Sequence, residues 1–429
     1  MRQERNETLS KDTAKDKPLQ SIRVIRTDYR SIKKQSLLQD FKYYLYLKIK
    51  ETRKSILIPA LCLIIFGLLM SFSLSYSVSK KLETGDFYFF YKHLFFVICG
   101  LCAMVFFAVV DFKKIINISL FAYIFCLFLL VLVLFTPGSV KGAQRWIDFG
   151  FLSIQPSEVL KPFFIVMHSI FIFKYWQKND INYFLTHLAI FAGIAFLFAL
   201  EPDYGMIIIY SATIGMQVLF SHIKTKYVIL FGLATFVFLI LASLCFEHVR
   251  FRILTFVGLG DGDNYQLRIA LSSINKGGFL GSGIGESLLK YRLPDAHNDF
   301  IFAVIGEELG LFGYTLLITF YGTMFLSILM FLSEEGDFML QNQFKQNELS
   351  IIDDYYLHRI IIMSIFAMFF IALTINSFVS LGLFPTKGMT LPLVSYGGSS
   401  MLSHSILIGI LLNLTKTKYR YHRRVEGFC

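Results

Sequence analysis

Tyr123-Ile-Phe-Cys-Leu-Phe-Leu-Leu-Val-Leu-Val-Leu-Phe135 shows no alternation of apolar and polar positions. A strand of a membrane β-barrel would alternate over about ten residues. A bilayer supplies no water to unpaired backbone groups, so an apolar run of this kind reads as a helix with internal hydrogen bonds. Stretches like it recur on both sides. Ten reach or approach the roughly 20 residues needed to cross about 30 Å of hydrocarbon. They lie near 55–75, 88–110, 115–136, 158–175, 183–200, 205–222, 226–247, 300–332, 359–383 and 391–415. Those near 158–175 and 205–222 are short, which leaves a tilted or partly re-entrant course open for them. The composition agrees: 55% of the 429 residues are hydrophobic and 17% charged, against about 25% charged in soluble domains. The expected fold is an all-α integral membrane protein of about ten transmembrane helices. A large loop, residues 248–299, precedes the eighth helix. Residues 1–54 form an N-terminal tail, 55–415 the membrane domain and 416–429 a basic C-terminal tail.

Lys and Arg set the expected orientation. Residues 1–54 carry fifteen basic and seven acidic side chains, and Lys416, Lys418, Arg420, Arg423 and Arg424 follow the last span. An even number of spans puts both ends on one side, and the positive-inside rule makes that side the cytoplasm. No apolar segment precedes Ile56, so no cleavable signal is expected. Residues 37–49 mix aromatics with Lys; they read as an amphipathic helix on anionic lipid or as part of a disordered tail. Six basic residues (Arg250, Arg252, Arg268, Lys276, Lys290, Arg292) crowd the outer loop against the rule, which suggests a local anionic ligand. The six cysteines and nine histidines show no metal-ligand spacing.

Five stretches keep polar residues where a plain span would not. The first joins Lys141-Gly142-Ala143-Gln144-Arg145-Trp146 to Gln155-Pro156-Ser157-Glu158-Val159-Leu160-Lys161-Pro162. Pro156 suits a helix start, and Glu158 and Lys161 then share a face. They read as a surface ion pair or as a charged pair lining a cavity. The second is the turn Glu201-Pro202-Asp203-Tyr204-Gly205. The third is the outer loop, with Gly277, Gly278, Gly281, Gly283 and Gly285 before Asp295-Ala296-His297-Asn298-Asp299. Such a glycine run is either flexible or lets backbone approach a ligand, and it is no nucleotide motif. The fourth is the long span from Phe300. If the helix ran on from Asp299, Glu307 would border the same cavity and Glu308 would meet a neighbouring helix. The fifth is Pro385-Thr386-Lys387-Gly388-Met389-Thr390-Leu391-Pro392 with Ser395-Tyr396-Gly397-Gly398. Broken backbone at membrane depth implies a protein-covered or wet site, or simply close packing of small residues. All five fall on the outer side. Together they describe an outward cavity with carboxylates and cations, suited to a lipid-linked polyanion, with a carboxylate serving as base.

These stretches resemble the SEDS family of bacterial cell-wall proteins (shape, elongation, division and sporulation), which includes FtsW, RodA and SpoVE. The likeness spans about residues 55–415 and is closer to the division branch than to the elongation branch. Glu201, Tyr204, Asp295 and Asn298 depart from the usual Gln, Leu, Glu and Thr. The resemblance implies an enzyme that polymerises lipid II into glycan strands at the outer face of the cytoplasmic (inner) membrane, at the division septum. The acceptor 4-hydroxyl attacks the donor anomeric carbon with inversion and releases undecaprenyl pyrophosphate. Asp299 matches the essential aspartate, the proposed general base. Arg145, Glu158, Lys161, Asp203 and Lys387 match polar positions around the cavity. His297, Glu307, Ser395, Gly397 and Gly398 complete the expected substrate-binding set. The sequence holds no dedicated metal motif and makes no cofactor certain; a divalent cation, Mg or Mn, would help a pyrophosphate leaving group. Implied partners are lipid II, the nascent strand, a class B penicillin-binding protein transpeptidase, other division proteins and membrane lipids, with no nucleic acid. A lipid II flippase and a non-catalytic division scaffold are the competing readings.

Overall fold

The structure is a computed structural model that describes residues 51–81, 85, 87–136, 145–150, 153–221, 226–227, 229–233, 235, 237, 240, 250–251, 254–256, 265–293, 296–341, 349–385 and 389–416. The expectations for residues 37–49, Lys141–Gln144, Arg252, Asp295, Lys387 and the tails fall outside them. The helices in chain order are α1 (Lys54–Lys81), α2 (Tyr88–Val109), α3 (Phe112–Val133), α4 (Pro156–Lys178), α5 (Ile181–Leu200), α6 (Tyr204–Leu219), α7 (Tyr265–Gly277), α8 (Ile301–Gln341), α9 (Leu349–Ser380) and α10 (Gly398–Leu414). All except α6, α7 and α10 are long and apolar enough to cross a membrane; α6 and α10 are shorter apolar helices. The expected span at 226–247 is described only in part, and its described positions between 226 and 240 are helical. The chain is a multi-pass membrane protein. A two-residue hairpin, β1 (Ile147–Asp148) against β2 (Ser153–Ile154), leads into α4.

Local chemistry explains the helix ends. Pro156 occupies the first turn of α4 and Glu158 follows it, where a missing N–H costs nothing and the helix dipole favours an acid. Asn179 closes α4 in the left-handed conformation (φ 49°), and Asp180 caps α5 by accepting from Asn182 N. These two adjacent residues make the whole α4–α5 turn. At the far end of α10, Asn413 Nδ2 donates to the carbonyls of Phe107 (3.0 Å), Ala108 (3.1 Å) and Val110 (2.6 Å), and Lys416 Nζ to Ala108 (2.8 Å). The last carbonyls of α2, which the helix leaves without partners, are satisfied this way.

Helices α4, α9 and α10 form the centre. The most apolar stretch of α4 is 72% buried and that of α9 67%, against 28% for α3. From Ser399 to Leu414, α10 is buried at every residue but Leu402. It lies along α2; α3 packs on α4, α8 on α1 and α7, and α6 on α9. Phe121, Phe125 and Phe128 of α3 are exposed; in a membrane that face meets acyl chains.

Three expectations are corrected. The span near 158–175 is not short: α4 has 23 residues. The span at 391–415 is helical only from Gly398, because residues 391–397 form an irregular segment. The long span from Phe300 is not one straight rod. It extends to Gln341 and breaks at Gly310 (φ 61°, ψ −149°).

Candidate active site

Residues 389–400 are the hub on which the other stretches converge. On one side, Tyr396 N donates to His297 O (3.0 Å) and Ser395 Oγ to Asn298 O (2.7 Å). On the other, Gln155 N donates to Ser399 Oγ (3.0 Å), and the Gln155 side chain reaches Asp203 Oδ2 (3.2 Å). Within the hub, Leu391 N donates to Ser395 Oγ (2.8 Å). Tyr321 of α8 donates to Pro392 O. The irregular backbone is therefore covered by protein and supplied with partners, as membrane depth requires.

Asp299 is half-buried, two residues before the start of α8. Its carbonyl accepts from Asn376 Nδ2 (3.1 Å), and the same nitrogen donates to Met389 O (2.5 Å). His297 packs its ring against Tyr396 and Phe89, at centroid distances of 5.4 and 6.1 Å. Three successive carbonyls, 297 to 299, are each held by a different donor. Asn376 was not among the residues read from the sequence. Its only signal there is a carboxamide in the apolar run Ile371–Val379 of α9.

Arg145 approaches the α5–α6 turn. Its Nε donates to Glu201 O (3.1 Å) and its Nη2 to Pro202 O. The guanidinium thus fixes this turn, and Asp203 beside it is buried. Glu201 is fully buried, and neither carboxylate oxygen has a hydrogen-bond partner among the described residues. Burial, with the Asp203 charge adding to it, pushes its carboxyl up to about 9, against the smaller opposite pull of Arg145.

Glu158 and Lys161 pair at 2.8 Å, with the two side chains 5% and 2% exposed. The surface reading of this pair is excluded. Tyr210 of α6 donates to Ser157 O (2.7 Å) and ties the same turn to its neighbour.

Glu307, Ser395 and Gly398 of the expected set contact partners within the protein. Glu307 does not border a cavity; it is fully buried. It accepts from Ser287 Oγ (2.5 Å), Leu288 N, Leu289 N and Lys276 Nζ (each 3.2 Å). Asp299 lies outside α8, so helical spacing does not relate it to Glu307. Glu308 does meet a neighbouring helix. It accepts from Ser73 of α1 (2.6 Å) and pairs with buried Lys290 (2.9 Å). Lys276 and Lys290, read as ligand cations, are thus counter-ions of these two glutamates. Ser395 holds the Asn298 carbonyl, as above. Gly398 gives room for Phe96 of α2, whose ring would lie 2.4 Å from a Cβ there. Gly397 is buried, with extended backbone.

The glycine run is not a ligand cradle. In an unbroken α8, Leu311 N and Phe312 N would donate to the carbonyls of Glu307 and Glu308. The break at Gly310 frees both pairs. Leu311 N donates instead to Gly278 O (3.0 Å) and Phe312 N to Phe279 O (3.2 Å). Ser282 N donates to Glu307 O (2.8 Å) and Gly283 N to Glu308 O (3.0 Å). The loop supplies new partners for both pairs. A Cβ on Gly281 (φ 78°) would lie 2.1 Å from Glu308 O, so only glycine fits there.

Among the described residues no three His, Cys, Asp or Glu side chains converge on one point.

Known proteins share this architecture. The chain is 34% identical over 366 residues to the probable peptidoglycan glycosyltransferase FtsW of Legionella pneumophila, covering 82% of this chain and 88% of that protein. It is 32% identical to the protein of the same description from Coxiella burnetii, covering 84% and 95%. Among solved structures, it resembles a chain of a peptidoglycan synthase complex that coordinates polymerisation and crosslinking. There the TM-score is 0.66 and the identity 21%, with 86% of this chain and 99% of that chain covered. The rod shape determining protein RodA of Thermus thermophilus gives a TM-score of 0.58 at 20% identity, covering 86% and 98%. Both show the same fold. Residues 53–420 match the FtsW/RodA/SpoVE family of cell cycle proteins, and with relatives this similar over most of its length the chain belongs to that family.

Proposed function

We propose that this protein is a peptidoglycan glycosyltransferase that polymerises lipid II during cell division, with Asp299 as general base. Family membership and the names of its relatives support the reaction class. The observation that carries the base assignment is the placement of Asp299: half-exposed, just ahead of α8, with the carbonyls of residues 297–299 each tied to the hub or to α9. A base must be held at a fixed distance from the proton it takes. The acceptor 4-hydroxyl loses its proton to the Asp299 carboxylate as its oxygen attacks the donor anomeric carbon. The bond to the pyrophosphate oxygen breaks, and undecaprenyl pyrophosphate leaves. One displacement inverts an α-linked donor to a β-linked product, so a single carboxylate suffices. We assign the pyrophosphate to Lys387 and to the Nη1 of Arg145, whose other donors hold the 201–202 turn. A divalent cation, Mg or Mn, would enter with the pyrophosphate. The buried Lys161–Glu158 pair sets the start of α4 and is not assigned to substrate.

The solved relative from a complex that coordinates polymerisation with crosslinking supports a transpeptidase partner, of the class B penicillin-binding type. The proposed setting is the division site of the cytoplasmic membrane, both termini inside and the Asp299 end outside. The test uses full-length protein with its transpeptidase and fluorescent lipid II. Native protein forms glycan chains; Asp299→Asn, folded and monodisperse, loses at least about 100-fold of the rate. Native-like polymerisation by that variant overturns the base assignment. Transfer of lipid II across vesicles without chain formation would show a flippase instead.

A further inference from the structure

An asparagine inside an apolar membrane helix needs a reason, because a buried carboxamide is costly unless hydrogen-bonded. Asn376 is fully buried, one turn before the end of α9. Its two N–H bonds diverge from one nitrogen, and that nitrogen lies 3.1 Å from Asp299 O and 2.5 Å from Met389 O. In a continuous helix, Ala303 N would donate to Asp299 O. Here Ala303 N donates to Phe300 O (3.0 Å). The first turn leaves Asp299 O to another donor, and Asn376 fills that place.

We propose that Asn376 is a positioning residue for glycan polymerisation, its single carboxamide nitrogen locking the backbone of Asp299 to the backbone of Met389. The proposal rests on Asp299 being the base. Ser395 and Tyr396 N hold the two residues before Asp299, and both belong to the hub. Asn376 alone among the three comes from α9, so it fixes both the base and the hub to the central helix. Ser offers one O–H donor and Leu none, so neither bridges two carbonyls.

The experiment compares native protein, Asn376→Leu, Asn376→Ser and Asp299→Asn, each full-length with its transpeptidase. Initial rates of lipid II polymerisation give kcat and KM separately, and thermal melting in detergent reports the fold. Leu keeps the branching and heavy-atom count of Asn, at a larger volume, and removes both donors. Its kcat is expected to fall about 100-fold, the scale of a misplaced catalytic group, with KM within about twofold of native. Ser keeps one donor and loses on the order of tenfold. A folded Leu variant whose kcat stays within twofold of native overturns the proposal, as does a change confined to KM. If the Leu variant does not fold, the Ser variant is read by the same criteria. Full activity in Asp299→Asn removes the base assignment and this proposal with it. Loss in Asp299→Asn with native kcat in both Asn376 variants removes this proposal alone.

Discussion

Glu201 is a carboxyl kept from water and from every hydrogen-bond donor among the described residues. Its folded pKa, about 9, lies above that of an unfolded glutamate, so between those values the folded state holds one proton more. Stability therefore falls as pH rises through that window and is highest below it. Gln is neutral at all pH values and nearly the same size. Glu201→Gln is expected to melt several degrees higher at pH 8 and to flatten the decline in melting temperature between about pH 5 and 9. An unchanged slope would show that Glu201 is not the titrating group. Lys161→Met strands the buried Glu158 carboxylate and should cost about 3–5 kcal/mol; replacing both, as Lys161→Met with Glu158→Leu, should recover most of the loss. Melting curves of the single and double variants decide it.

At the scale of elements, the instructive pair is α8 and the loop before it. Gly310 has a backbone that other residues reach only with strain, of order 1–3 kcal/mol. A Cβ there would also lie 2.5 Å from Gly281 N. Gly310→Ala is expected to lower the melting temperature and to release the 277–283 segment. Amide hydrogen exchange at Ser282 and Gly283, whose N–H groups bond to Glu307 and Glu308, would quicken first. The break and the glycine run were both legible as sequence oddities. Their complementarity was not, since nothing local links residue 281 to residue 308. For the same reason Lys276 and Lys290 read as cations awaiting a ligand. Their partners, Glu307 and Glu308, lie 31 and 18 residues away.

For the whole molecule, α4, α9 and α10 make a buried centre and the remaining spans turn apolar faces outward. Charge distribution sets the proposed orientation, with the Asp299 end outside. Arg292 is exposed at that end. On intact cells, Arg292→Cys should react with a membrane-impermeant maleimide while native Cys429 reacts only after lysis. The reverse pattern would invert the topology and exclude polymerisation at the outer face.

Resemblance to a known family singled out Asp299 as the proposed base, while the amino-acid sequence by itself determined most of the membrane helices and the polar stretches that interrupt them. Those are properties of runs and local spacing: a helix needs about 20 apolar residues, and a polar group in such a run stands out. Only tertiary structure decided which polar groups face one another. Whether Glu307 lines a cavity or anchors a loop depends on donors brought from residues 276 and 287–289. Whether Asn376 idles in its helix or holds Asp299 depends on where α8 begins. In a bilayer each buried polar group must find its partner inside the protein, and those partners are chosen by packing rather than by position along the chain.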